Sequence, residues 1–154
     1  MSEAGSTAFD KSRTKLRIRL YAVAAIVALF GLADGIYLTV EHVTGRTAQC
    51  IASSGCQDVL SSKYAAMGPI PLASLGALAY FTAFSTALLA AFGSEKCRSL
   101  FALLVVVMFL TTLWLLYLQA YVLHAFCDYC LFSAGVTTVL TVIALVNAFL
   151  REPA

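Results

Sequence analysis

The sequence predicts an all-α integral membrane protein: a four-transmembrane-helix bundle with a short amphipathic helix in its first outer loop. Three observations predict it. Hydrophobic residues make up 61% of the 154 residues and charged residues only 12%, too little polar surface for a soluble chain of this size. Four apolar tracts, 20–40, 72–92, 100–123 and 131–150, each come close to the ~20 residues that carry a helix across ~30 Å of hydrocarbon. The strict alternation of a membrane β-barrel is missing, which leaves helices as the way to satisfy backbone hydrogen bonds in lipid.

Taken in order, residues 1–19 read as a basic cytoplasmic tail, 20–150 as one membrane domain and 151–154 as a second short tail, with no further domain expected. Met1–Asp10 is polar and rich in small residues, which predicts disorder. The first span continues through Asp34 and Glu41 without a small-residue cleavage site, so it reads as a retained helix and not as a signal peptide. Asp34 lies ~14 residues into this span, ~21 Å from its inner end and within ~10 Å of the outer surface. An ionisable side chain at that depth either serves function or hydrogen-bonds a neighbouring helix. Gly31 and Gly35, four residues apart, allow another helix to approach closely.

The outer loop, 41–71, exceeds the ~12–15 residues beyond which a loop in a compact protein is usually functional or disordered, and it carries two cysteines. Within it, Gln57–Tyr64 predicts a short helix on the membrane surface with Val59, Leu60 and Tyr64 inward. Gly68 and Pro69 mark a turn, and Pro71 opens the second span where a missing N–H does no harm. A short inner connection, Gly93–Ser99, leads to the third span, in which Gln119 predicts an interhelical hydrogen bond. Trp114 reads as packing or an interfacial anchor. His42 and His124 fall near the outer interface, where an interfacial histidine without catalytic duty competes with a role in proton delivery.

The basic residues orient the bundle. Lys11, Arg13, Lys15, Arg17 and Arg19 precede the first span, Lys96 and Arg98 lie between the second and third, and Arg151 follows the fourth, whereas the other side holds only Arg46 and Lys63. Positive charge stays inside, so both termini are expected in the cytoplasm and the 41–71 loop outside. Of five cysteines, Cys50, Cys56, Cys127 and Cys130 then share the outer, oxidising side, and Cys97 alone is cytoplasmic, a bystander.

Cys127-Asp-Tyr-Cys130 sits where the third span ends and the fourth begins. Two cysteines three residues apart at a helix start lie on one face, within disulfide reach, and the unpaired N–H groups of the helix terminus favour thiolate. Cys130 is the better placed to face a pocket on the lipid side, and Cys127 to meet a cysteine from the outer loop. Cys50 and Cys56, with five residues between them, either close their own ring or exchange with Cys127. Three readings of these thiols stay open: a redox relay through mixed disulfides, a soft-metal site of four thiolates, and a structural staple.

Cys50, then Cys56-Gln-Asp-Val-Leu-Ser61-Ser62-Lys63-Tyr64, then Pro71-Leu-Ala-Ser-Leu-Gly76-Ala-Leu-Ala-Tyr80, then Phe126-Cys127-Asp-Tyr-Cys130 resembles the vitamin K epoxide reductase family in its bacterial branch, over the whole core from first to fourth helix. The disulfide bond formation protein B family also reduces quinone from a four-helix bundle, but there the Cys-x-x-Cys lies in the first outer loop. The resemblance implies a direction: a thioredoxin-like or DsbA-like partner reduces Cys50, Cys56 exchanges with Cys127, and Cys130 reduces a quinone (menaquinone, ubiquinone or phylloquinone) held in the bundle. It also puts Ser62 near the quinone. Vertebrate members carry Thr-Tyr-Ala where this chain has Ser133-Ala134-Gly135, and an asparagine at the position of Leu72, which argues against epoxide reduction and anticoagulant sensitivity. Some bacterial relatives carry a fused thioredoxin-like domain that this sequence lacks, so a separate partner and a bacterial inner membrane are expected.

Overall fold

The computed structural model describes residues 3–46, 50, 55–68 and 70–150, with residues 3–10 and Met67 described by backbone alone. The elements run α1 (Glu3–Val43), α2 (Cys56–Leu60), β1 (Ala66–Met67), β2 (Ile70–Pro71), α3 (Leu72–Ala91), α4 (Glu95–Tyr117), a π-helical turn (Leu118–Leu123) and α5 (Asp128–Phe149). Among the described residues, four stretches are long and apolar enough to cross a membrane: Lys11–Val43, Leu72–Ala91, Glu95–Leu123 and Asp128–Phe149. They match the four predicted spans.

The N-terminal segment differs from expectation, being helical from Glu3 where disorder was expected. No proline interrupts residues 3–19, and a helix nucleated in the apolar span extends backwards at little cost. The inner connection is also shorter than expected. Gly93, at φ +99°, makes the turn, and Ser94 caps α4 by accepting the Cys97 N–H at 3.5 Å. Arg98 pairs with Glu95 and donates from Nε to the Ala90 carbonyl at 3.4 Å, closing the α3–α4 corner. Cys97 stands free in this corner, at the end of the bundle away from the other four cysteines.

The helices close a ring in which α1 lies along α3, α3 against α4, α4 against α5 and α5 against α1. Small residues make the closest seam. Ala24, Ala25 and Ala28 of α1 meet Ala83, Ala87 and Ala90 of α3 in one buried cluster, completed by Tyr21, Phe101, Val105 and Leu140. A Cβ on Gly31 would come within 2.4 Å of the Tyr80 ring, and one on Gly35 within 3.0 Å of the Ala77 backbone. The glycine pair therefore serves helix approach within the bundle. Large apolar residues such as Phe30, Leu78, Phe81, Leu103 and Leu110 point outward, as lipid-facing surface requires. Trp114, exposed, stacks on Tyr117 and Tyr117 on Tyr121, an aromatic strip towards the C-terminal end of α4.

In the outer loop, β1 and β2 pair antiparallel, Ala66 with Pro71 and Met67 with Ile70, around Gly68 at φ +66°. Pro69, the other half of the predicted turn, lies outside the described residues. The surface helix is shorter than predicted. It stops at Leu60 because Ser61 and Ser62 turn their hydroxyls back to the carbonyls of Gln57 (2.6 Å) and Val59 (2.7 Å). Val59 is buried and Leu60 partly so; Tyr64 falls beyond the helix end, exposed and under the Lys63 ammonium, while it still borders a cavity shared with Leu72 and Cys130.

Tyr80 cannot swing away from Gly31, because its hydroxyl is held by the α5 hydroxyls and carbonyl described below. Gly31→Ala is therefore expected to destabilise the bundle by about 1–3 kcal/mol, read as a lowered thermal midpoint in detergent; an unchanged midpoint would show that the seam yields freely.

Candidate redox site at one end of the bundle

The site is built where α4 changes pitch. At Leu118–Leu123 the helix widens to a π turn, which brings Gln119 inward, 3% exposed. Its backbone carbonyl accepts the Ala125 N–H at 3.2 Å and its Oε1 accepts the Cys127 N–H at 3.0 Å. The expected interhelical bond of Gln119 is thus a bond to the turn between two helices. His124 occupies the left-handed region, φ +48°, at the point where the chain reverses, and its side chain is exposed. Cys127 then takes the extended conformation that begins α5, and its carbonyl accepts the Leu131 N–H at 3.0 Å.

The outer loop delivers the other pair. Cys50 and Cys56 are joined by a disulfide with Cα atoms 5.6 Å apart, and the Cys56 N–H points at the Cys50 sulfur at 3.1 Å. Gly55 lies so close to the 125–127 turn that a Cβ there would stand 2.7 Å from the Phe126 carbonyl oxygen and 2.9 Å from its nitrogen. This contact seats the N-terminus of α2 on the Cys-x-x-Cys turn. Cys56, Val59 and Cys127 form one buried cluster, with Cys50 and Cys130 packed against it. The four outer cysteines thus converge, as two pairs in different states: one disulfide and two free thiols.

Within the free pair the thiols are unlike. Cys127 is held down to about 7 by the hydrogen bond from the Cys130 thiol, against the cost of burial, with help from the backbone N–H groups of Cys130 and Tyr129 and opposition from the Asp34 charge. Cys127 therefore carries thiolate near neutral pH, beside the disulfide-bonded Cys56.

Cys130 faces the other way, onto a cavity of about 140 Å³ between α1, α3, α4 and α5. Leu38, Leu72, Gly76, Leu115 and Leu116 line it, with Asp34, Tyr80, Thr112, Gln119, Tyr129 and Ser133 as its polar points. The Tyr80 hydroxyl lies 2.7 Å from Ser133 Oγ, 2.9 Å from the Ser133 carbonyl, to which it donates, and 2.8 Å from Thr137 Oγ1, tying α3 to α5 behind Cys130. Ser62 does not line this cavity. It borders a neighbouring one that also reaches Cys130, Gln119 and Leu72, and its hydroxyl proton is engaged by the Val59 carbonyl. His42 borders a separate outer groove with Glu41, Arg46 and Ser61. Cys50, Cys56 and Asp128 bring ligand atoms within 4.8 Å of one another, but two sulfurs joined to each other offer no thiolate to a metal.

Sequence reasoning singled out the four cysteines that the structure brings together and missed the residues that hold them. Gly55 carries no signal beyond being a glycine beside a cysteine. Tyr80 was legible in principle, since a phenol midway along one span needs partners, and Ser133 and Thr137, four residues apart, share a face of another.

Gly55→Ala is expected to lift α2 from the 125–127 turn and slow disulfide exchange between the pairs at least tenfold, measured by alkylation and gel shift after acid quenching, while the spans keep their helicity by circular dichroism. In the same assay, started from the Cys50–Cys56 disulfide, wild-type exchange is expected to rise with pH through a midpoint near 7, because in that direction the thiolate of Cys127 is the nucleophile and is lost as pH falls. Cys130→Ala, which removes the hydrogen bond, should move that midpoint upward; an unmoved midpoint would deny the bond its role.

Residues 22–145 match the model of the vitamin K epoxide reductase family, which spans all four helices and all four outer cysteines. No curated protein matches the chain. A family match over most of the chain, together with a multi-pass helical bundle and a cysteine pair joined at one end of it, makes this protein a membrane oxidoreductase of the vitamin K epoxide reductase family.

Proposed function

We propose that the protein oxidises a separate thioredoxin-like or DsbA-like partner and passes the electrons through Cys50, Cys56, Cys127 and Cys130 to a membrane quinone, supporting disulfide bond formation. The observation that carries this reading is the Cys50–Cys56 disulfide packed against a thiolate-prone Cys127, with Cys130 on the wall of an apolar cavity. Such a chain has an outer end for a water-borne dithiol and an inner end for a lipid-borne acceptor.

The steps follow from thiol exchange. A partner thiolate attacks Cys50, the Cys50–Cys56 bond breaks and a mixed disulfide forms, which the partner's second thiol resolves. Cys56 thiolate then attacks Cys127 of an oxidised Cys127–Cys130 pair, releasing Cys130, and Cys50 attacks Cys56 to free Cys127. The result is the arrangement described above: outer pair oxidised, inner pair reduced. The inner dithiol finally closes to a disulfide as its two electrons reduce the quinone. For such a two-electron couple each 30 mV is worth about 1.4 kcal/mol, so a potential difference on the order of 100 mV supplies ~4–5 kcal/mol.

The cavity suits a flat apolar ring carrying two carbonyl oxygens: aliphatic walls, a few polar points and a reactive sulfur. Leu72, Ser133 and Ala134 belong to its wall, and the Ser133 hydroxyl is engaged by Tyr80, which supports quinone reduction without epoxide reduction. Ser62 acts from the neighbouring cavity through the oxygen lone pairs that its own bond leaves free. Residues 20–150 form the working domain, in a bacterial inner membrane. Both tails, 1–19 and 151–154, lie in the cytoplasm, as the basic residues at the α1 start and the α3–α4 corner support.

The deciding experiment supplies purified protein in detergent with dithiothreitol or a reduced DsbA-like protein and follows quinone reduction. Wild type is expected to turn over. Cys130→Ser should abolish quinone reduction while still exchanging with the protein donor, and Cys50→Ser should stop oxidation of that donor. Wild type that reduces no quinone, or a Cys130→Ser variant that still does, overturns the reading.

A further inference from the structure

Reducing a quinone to the hydroquinone takes two protons as well as two electrons, and the cysteine relay accounts only for the electrons. Among the described residues, the cavity beside Cys130 is lined by no lysine, arginine or histidine. Its titratable groups are Asp34 from α1, Tyr80 from α3, and Tyr129 and Cys130 from α5, with Cys127 just ahead of that helix; the π turn contributes only the neutral Gln119. Tyr80 has its single proton engaged by the Ser133 carbonyl, and Tyr129 is packed on the Tyr37 ring at 5.4 Å.

Asp34 differs from both. It is half-buried on the cavity wall, and among the described residues it has neither a hydrogen-bond nor an ion-pair partner. A carboxyl kept in a membrane span for structure is expected to hydrogen-bond a neighbouring helix, because an unpaired one is costly there. Asp34 carries that cost and faces the space beside the reactive sulfur, close enough for its charge to act on Cys127, Cys130, Tyr80 and Tyr129.

We propose that the Asp34 carboxyl is the proton donor to the quinone reduced at Cys130, an inference that rests on the quinone-reducing function above. The balance closes without another reactant. As the Cys127–Cys130 bond forms, the pair gives up two electrons and the Cys130 proton, Cys127 having already passed its own to water on becoming thiolate. Asp34 delivers one proton to a quinone oxygen and recovers the one released by Cys130; the other oxygen takes from water the proton that Cys127 left there. Over a turnover the carboxyl is unchanged.

The test is Asp34→Asn, which keeps the shape and removes the exchangeable acid. With dithiothreitol as donor, quinone reduction is expected to fall about 10²-fold or more, while exchange between the two cysteine pairs without quinone proceeds as in wild type. The wild-type rate should fall as pH rises through the ionisation of the carboxyl, since the acid form is the donor, and this falling limb should vanish in Asp34→Asn. Asp34→Glu should restore part of the rate. Infrared titration of the quinone-free protein should show a carboxylic C=O band that disappears with rising pH and is missing from Asp34→Asn. Quinone reduction at the wild-type rate by Asp34→Asn, or an unaltered falling limb, overturns the proposal. So does loss of cysteine exchange in the same variant, which would make the carboxyl structural. Wild type that reduces no quinone is a different failure, that of the function itself.

Discussion

The site depends on how the chain turns at the membrane edge without leaving its backbone unpaired. Only residues 124–127 join the π turn to α5, and Cys127 begins α5 while fully buried. Its N–H needs an acceptor where solvent cannot serve, and an unsatisfied buried donor costs about 1–3 kcal/mol. Gln119 supplies that acceptor from the π turn, whose wider pitch brings the side chain to the inside. One irregular turn thus satisfies the backbone, fixes where α5 starts and sets Cys127 and Cys130 apart: one towards the outer loop, the other towards the cavity.

The remaining architecture follows from the small residues that let α1 and α3 close together. Because alanine and glycine bring these backbones near each other, the polar tip of Tyr80 is pressed across to α5, where Ser133 and Thr137 receive it. That knot and the Gln119 bond brace α5 on successive turns around Cys130. A reactive sulfur held between two satisfied polar anchors in an apolar wall loses little of its geometry to thermal motion, which is what thiol exchange along a fixed line requires.

The fold was legible because hydrocarbon thickness imposes a length on each span and the sequence obeys it, from Leu72–Ala91 to Asp128–Phe149. The four outer cysteines were legible because the basic residues and spans together place them at one edge. What stayed hidden depends on conformation that has no periodicity: the π turn, the early stop of α2 at Ser61 and Ser62, and the backbone approach at Gly55. Tyr64 leaves the helix for the same reason, since helical spacing no longer holds once the serines end it. The N-terminal residues erred in the other direction. Composition spoke for disorder, but a long apolar helix carries its own momentum into an adjoining segment that contains nothing to stop it.

The close seating of Gly55 on Phe126 divides the two outer cysteines by kinetic order. Cys56 is 1% exposed and tethered against the turn that bears Cys127, so any reaction between them is unimolecular, with a local concentration set by the fold and not by the cell. Cys50, at the open side of the same ring, is only partly buried and meets whatever arrives from solution. In a relay built this way, dilution of the partner slows entry at Cys50 alone. The exchange that follows, from Cys56 to Cys127, runs at a rate that belongs to the protein.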